Sequence, residues 1–170
     1  GKVLQAIAFV QEGSSLVIEV STPGTLLSLL GNQQKQNITI LSIKGTLDNN
    51  DFITIMGMTK LEKLDISLIT NTSLPEKMFE NNQVIQEVVL PNQLVKIPNN
   101  MFASSSIKYC RIPDNVISIG SAAFRFCNKL EGNLYLPSTL KEIENGAFSA
   151  CISLDGDLMI PDNVNIIGYQ

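Results

Sequence analysis

Residues 110–127 read CRIPDNVISIGSAAFRFC, and residues 134–151 read LYLPSTLKEIENGAFSAC. Upstream, VVLPNQLVKIPNNMF (88–102) keeps the same order of groups, and downstream LMIPDNVNIIG (158–168) repeats the first half of the phrase. Pro91, Pro113, Pro137 and Pro161 lie 22, 24 and 24 residues apart, while Phe79, Phe102, Phe124 and Phe148 are separated by 23, 22 and 24. Two unrelated residue types share one period. Self-similarity on that scale marks a solenoid of stacked, equivalent coils. A weaker form of the frame continues upstream as Leu61, Leu64 and Ile66, and before that as Ile38, Leu41 and Ile43. About six coils are expected over 38–170, the last incomplete.

Each unit has a physical reading. Ile85, Val88 and Leu90, then Ile107, Cys110 and Ile112, then Leu130, Leu134 and Leu136 place apolar groups on one face of a short strand. The proline that follows has no N–H for a ladder, so it ends the strand and turns the chain. A second apolar pair (Leu94 and Ile97, Val116 and Ile119, Leu140 and Ile143, Val164 and Ile167) closes the opposite wall. Around Met101-Phe102, Ala123-Phe124 and Ala147-Phe148 a small-residue turn is predicted, one turn of helix whose Phe enters the core. One coil cannot bury its own apolar face, so coils must stack with their strands parallel, about 5 Å apart. Gly120, Gly132, Gly146 and Gly156 fall where φ must be positive or space is short.

IPDNVISIGSAAFRFC and LPSTLKEIENGAFSAC resemble the BspA-type class of leucine-rich repeat, most specifically over 85–168. Residues 38–84 keep the frame more loosely: Ser67 stands where a proline is expected, and the Ala-Phe-x-x-Cys element is missing. The resemblance implies an α/β solenoid, a right-handed coil with a parallel β-sheet on one face and short helical or 3-10 turns opposite. It also implies a secreted or surface-attached, non-catalytic adhesion module whose ligand is a protein or glycoprotein, such as host extracellular matrix. A passive spacer within a larger surface protein is the alternative.

Composition narrows the functional classes. With 170 residues and 44% hydrophobic content the chain can bury one continuous core, and a net charge of -4 with pI near 4.8 argues against sequence-independent nucleic-acid binding. LVIEV and TLLSLL are too short to span a membrane. The sequence opens at Gly1 without Met, which fits an extracellular chain whose signal or anchor has been removed. No histidine is present, so imidazole acid–base chemistry and Ser-His or Cys-His nucleophiles are unavailable. Glu76 with Glu80, Glu142 with Glu144, and Asp155 with Asp157 are the carboxylate pairs that remain. Each has a simpler structural reading, Glu142 and Glu144 being expected to face solvent on either side of Ile143. No catalytic residue, metal site or cofactor is expected. Asn37-Ile38-Thr39 and Asn71-Thr72-Ser73 match the glycosylation acceptor pattern, which carries meaning only in a eukaryotic source.

Cys127 and Cys151 occupy equivalent positions 24 residues apart, which places them one above the other. That spacing permits a disulfide, but Ser105 and Asn82 at the same position in earlier coils favour free, buried thiols. Cys110 takes a strand position held elsewhere by Val88 and Leu134, a packing role.

Residues 1–37 lie outside the repeat. Val3–Phe9 and Leu16–Val20 read as a hairpin, and Leu26, Leu27, Leu29 and Leu30 as a short helix ended by Gly31-Asn32. Together they form a predicted cap over the first coil. At the other end the sixth coil lacks its Ala-Phe-Cys turn, so that end either pairs with a second copy as a homodimer or continues in a longer parent. Between the inward positions an outward row runs through Ser42, Asp65, Val89, Arg111, Tyr135 and Met159, with Ile40, Lys63, Glu87, Tyr109, Asn133 and Asp157 beside it. Tyr109, Arg111 and Tyr135 are expected to cluster there, with Val89 and Met159 extending an apolar stripe. Tyr and Arg are the residues of binding hot spots, so Tyr109, Arg111, Tyr135, Val89 and Met159 are the candidate binding residues. Ordinary cross-strand pairing on a solvated sheet is the competing reading.

Overall fold

The computed structural model describes residues 15–31 and 34–169. Its main sheet is parallel and ordered β1-β2-β3-β4-β6, formed by Ser15–Val20 (β1), Ile40–Gly45 (β2), Lys63–Ile69 (β3), Glu87–Val89 (β4) and Tyr109–Arg111 (β6). A second parallel ladder holds the opposite wall: Lys96–Ile97 (β5), Ser118–Ile119 (β7), Glu142–Ile143 (β9) and Ile166–Ile167 (β11), ordered β11-β9-β7-β5. The second member of each apolar pair (Ile97, Ile119, Ile143, Ile167) is thus a strand residue itself, the first lies in the turn before it, and Leu94, Ile97, Val116, Ile119 and Leu140 are fully buried.

Leu134–Tyr135 (β8) and Leu158–Met159 (β10) pair with each other but not with β6. Ile107 precedes Cys110 by three residues, whereas Leu130 precedes Leu134 and Leu154 precedes Leu158 by four. Both later coils carry this extra residue, so they match one another and fall out of step with the coil before. Gly132 turns with φ +78°, and Gly156 packs so close to Asn133 that a Cβ would lie 2.8 Å from its backbone.

A third ladder runs through the turns. The N–H groups of Phe79, Phe102 and Phe124 donate to the carbonyls of Met101, Ala123 and Ala147 in the next coil, each at 2.8 Å. Asn81, Ser104 and Phe126 do the same to Ala103, Arg125 and Ser149. Positive φ recurs twice per turn, at Lys77 and Asn81, Asn100 and Ser104, Ala122 and Phe126, and Gly146 and Ala150. Those left-handed residues interrupt helix formation and swing the amides toward the neighbouring coil, so these are hydrogen-bonded turns and not helical ones. Their rings enter the core as expected: Phe79, Phe102, Phe124 and Phe148 form one stack with centroids 5.2–5.6 Å apart. Each such contact adds about 0.5–1.5 kcal/mol beyond burial.

The side chains after each proline serve the same stacking. Asn115 Nδ2 donates to Asn92 O, Thr139 Oγ1 to Asp114 O and Asn163 Nδ2 to Ser138 O, each in the preceding coil. Cys127 and Cys151 are free thiols, donating to Phe102 O at 3.0 Å and Phe124 O at 2.9 Å. Cys110 is free as well and packs against the core, where burial pushes its thiol up to about 12.

Toward the N-terminus β1 pairs parallel with β2 from Ser15↔Ile40 to Val20↔Gly45, so the sheet begins before residue 38. The other half of the expected hairpin, Val3–Phe9, lies outside the described residues. Leu26–Leu30 forms the expected helix (α1), and Gly31 ends it with φ +73°. A second helix, Asn49–Met56 (α2), was not anticipated, although Asp48-Asn-Asn-Asp51 is a capping-box signal. Asp48 accepts from the amides of Asn50 and Asp51, and Asp51 answers the Asp48 amide. Asp51 is fully buried and also accepts from Gly24 N at 2.7 Å and Leu26 N at 2.9 Å, which fastens α1 to α2. Asn71 is structural: its amide group exchanges two hydrogen bonds with the backbone of Leu47. No described helix is long and apolar enough to cross a membrane.

Candidate binding face

Alternation in a strand sends every second side chain away from the core, and parallel register then stacks equivalent residues into rows. The structure produces the expected rows over β2, β3, β4 and β6. Ser42 faces Asp65, Asp65 faces Val89 and Val89 faces Arg111, while Ile40, Lys63, Glu87 and Tyr109 line up beside them. Val17 of β1, opposite Ser42 and exposed, starts the first row one coil earlier than the sequence suggested. Charges on this half are neutralised across the ladder, Glu19 with Lys44 at 2.8 Å and Lys63 with Glu87 at 3.0 Å.

On the later strands Tyr135 and Met159 are directly opposed, and both project strongly, at 74% and 78% exposure. Tyr109 is 55% exposed and Val89 39%. The expected cluster of Tyr109, Arg111 and Tyr135 is divided, however, because the extra residue separates β6 from β8. Tyr109 Oη donates to Glu131 Oε1 at 2.5 Å, which reaches from the inserted turn back to β6. That hydrogen bond, with the adjacent negative charge, raises the Tyr109 pKa from its ordinary 10.0. Arg111 turns to Asp114 at 3.1 Å, and Tyr135 Oη accepts from Asn133 Nδ2 at 3.1 Å. Each polar group therefore has a local partner, and what stays unengaged is the apolar surface of Tyr135, Met159 and Val89.

Two other features bear on function. Arg125 lies over the Phe126 ring at 4.6 Å on the turn ridge, where Phe126 is 43% exposed with φ +58°. Equivalent positions hold Asn81, Ser104 and Ala150, which tolerate that conformation at lower cost, so a bulky aromatic there is a sequence signal that the repeat alone does not explain. Glu144 does not face solvent as expected. It accepts from the amide and hydroxyl of Ser121 at 3.1 and 2.9 Å and pairs with Lys96 two coils away. Burial pushes its carboxyl up, but Lys96 and Ser121 together outweigh that and hold it below its ordinary value. Among the described residues no group of three or more Cys, Asp or Glu side chains converges to hold a metal ion.

At the C-terminal end the core opens. Leu134, Leu136, Ile143, Phe148, Leu154, Ile160 and Ile167 line a cavity of about 320 Å³, and Ile160 and Ile167 remain half exposed.

The BspA type leucine rich repeat region matches residues 36–170 in six copies. A leucine-rich repeat protein from Bacteroides ovatus is similar in fold, with TM-score 0.52 and 19% identity over 94% of this chain and 52% of that one. A leucine rich cell surface protein from Faecalibacterium prausnitzii gives TM-score 0.47 and 18% identity over 91% of this chain and 32% of its own. The leucine-rich repeat protein of T. pallidum gives 0.47 and 16% over 92% and 73%. This chain thus spans about a third to a half of the first two. No curated protein matches.

Proposed function

Because the chain belongs to the BspA-type leucine-rich repeat family, we propose that it is a non-catalytic recognition module of an extracellular or cell-surface protein. It engages a protein or glycoprotein ligand through the outward face of its sheets. The observation that carries this reading is the in-register, strongly exposed pair Tyr135 and Met159 on β8 and β10, with Val89, Tyr109 and Arg111 on the separate outward rows of β4 and β6. Large apolar groups whose neighbours supply hydrogen-bonding atoms combine contact area with direction, the composition of an interface hot spot. Repeat geometry itself leaves the ligand open.

A passive spacer is the second reading, favoured by the local partners of Tyr109 and Arg111. Retention of the chain on immobilised extracellular-matrix proteins and mucosal glycoproteins separates the two. Combined Tyr109→Ala and Tyr135→Ala substitution is expected to weaken retention at least tenfold while Tm barely moves, since both side chains are more than half exposed. Equal retention of the parent and the double variant removes this face as the site, and loss on Phe126→Ala instead transfers it to the turn ridge. No retention of the parent on any surface favours the spacer.

A further inference from the structure

The turn ladder fixes Cys127 and Cys151 with unusual definition. Phe124 N–H donates to Ala147 O and Phe126 N–H to Ser149 O, so the two turns run in parallel register up to the residue before each cysteine. The Phe124 and Phe148 rings stack at 5.2 Å in the same register. Neighbouring parallel backbones lie about 4.8 Å apart, within the roughly 4.4–6.8 Å spanned by bridged Cα pairs. Cys127 is completely buried, whereas Cys151 is partly open to solvent. We propose that Cys127 and Cys151 are a modification site for small-molecule disulfides, at which thiol–disulfide exchange closes a covalent staple between two neighbouring coils.

The chemistry assigns a role to each sulfur. Both thiols donate to a carbonyl of the preceding coil, Cys127 to Phe102 O at 3.0 Å and Cys151 to Phe124 O at 2.9 Å, so the two S–H groups are oriented alike in adjacent coils. Cys151, partly open to solvent while Cys127 is buried, is the sulfur that an incoming disulfide reaches first, and it reacts on deprotonation. It attacks one sulfur of the incoming disulfide, whose S–S bond breaks and releases one thiolate. Cys127 then loses its proton and attacks the Cys151 sulfur of the mixed disulfide, expelling the second thiolate. Two cysteine thiols are oxidised to one disulfide, and the reagent disulfide is reduced to two thiols. The bond joins the coils containing β6 and β8, the junction at which the main sheet has no ladder hydrogen bonds. It therefore reinforces the place where the solenoid is held only by its second wall and its turns.

The test is to expose the full chain to oxidised glutathione at about pH 8, quench with an alkylating reagent, and map peptides without reduction. The expected result is loss of two of the three thiols, a Cys127–Cys151 linked peptide, Cys110 still alkylated, and a Tm higher by roughly 5–10 °C. Cys127→Ser should stop at glutathione bound to Cys151. Persistence of that mixed disulfide in the unsubstituted chain, a bridge through Cys110, or oxidation that occurs only in urea overturns the proposal. The mapping of the unsubstituted chain decides the matter even if Cys127→Ser does not fold.

Discussion

Phe102 shows how a single side chain holds a coil to both neighbours. It is fully buried, stacks on Phe79 and Phe124, and its amide bonds to the next turn. Phe102→Ala removes a large buried ring from a site whose backbone is fixed on both sides, so it cannot collapse to fill the cavity. A loss of about 3–5 kcal/mol in urea unfolding is expected. Phe148, partly exposed at the open end of the stack, should cost clearly less on the same substitution. Glu144 makes a different kind of link, and its folded-state pKa is depressed. Its contribution is therefore present above the ordinary carboxylate value near 4.5 and is lost as pH falls through the lower folded value. Glu144→Gln should destabilise the protein by about 1–2 kcal/mol at pH 7, with parent and variant converging in acid; a difference independent of pH would assign the effect to packing.

Between elements, the junction of α1 with α2 rests on Asp51. Its carboxylate accepts from Gly24 and Leu26 on one side and from Asp48 on the other, in a fully buried position. Asp51→Ala leaves those amides without a partner, and a loss of about 3 kcal/mol or more is expected from urea melts. Comparable stability would mean that water reaches the junction. Neither α2 nor this contact was read from the sequence: the capping-box pair Asp48 and Asp51 was a signal available for the helix, but a carboxylate that satisfies its own helix gives no sign that it also reaches 27 residues back. Proline and phenylalanine were readable since their roles are local: one ends a strand, the other fills a repeated hole. The outward rows followed for the same reason, period two being a property of any strand. The separation of β6 from β8 was hidden in a change of spacing from 22 to 24 residues that resembles ordinary repeat variation. Of the two added residues, the one between Leu130 and Leu134 shifts which backbone groups meet, and so it divided Tyr109 and Arg111 from Tyr135.

At the scale of the whole molecule, each coil packs on its neighbours, the Lys96–Glu144 pair being a link across two coils, so stability is close to a sum over coils and interfaces and need not be uniform. Interior coils have both faces covered: Leu94, Ile97, Phe102, Val116 and Ile119 are fully buried. Near the C-terminal end Leu134, Leu136 and Val164 are only partly covered, while Ile166 and Ile167 are about half exposed. The strands there are two residues long, and β8 lacks a ladder to β6. Opening of this end costs fewer buried contacts than opening of the middle, and the amide-exchange rates of the folded protein should reveal it. Amides of Met159, Ile166 and Ile167 are expected to exchange at least a hundredfold faster than those of Val88, Phe102 and Phe124, roughly 3 kcal/mol lower in opening free energy. A second copy seated on the open core would abolish that gradient with increasing protein concentration, and light scattering on the same samples would show the dimer. A gradient unchanged by dilution instead means that the exposed apolar wall stays uncovered in the isolated chain. In that case the roughly 320 Å³ opening weakens the solenoid at the end that also presents Tyr135 and Met159. Closing the Cys127–Cys151 bridge should then slow exchange first around Leu134 and Tyr135, because those amides stand immediately beyond the interrupted ladder.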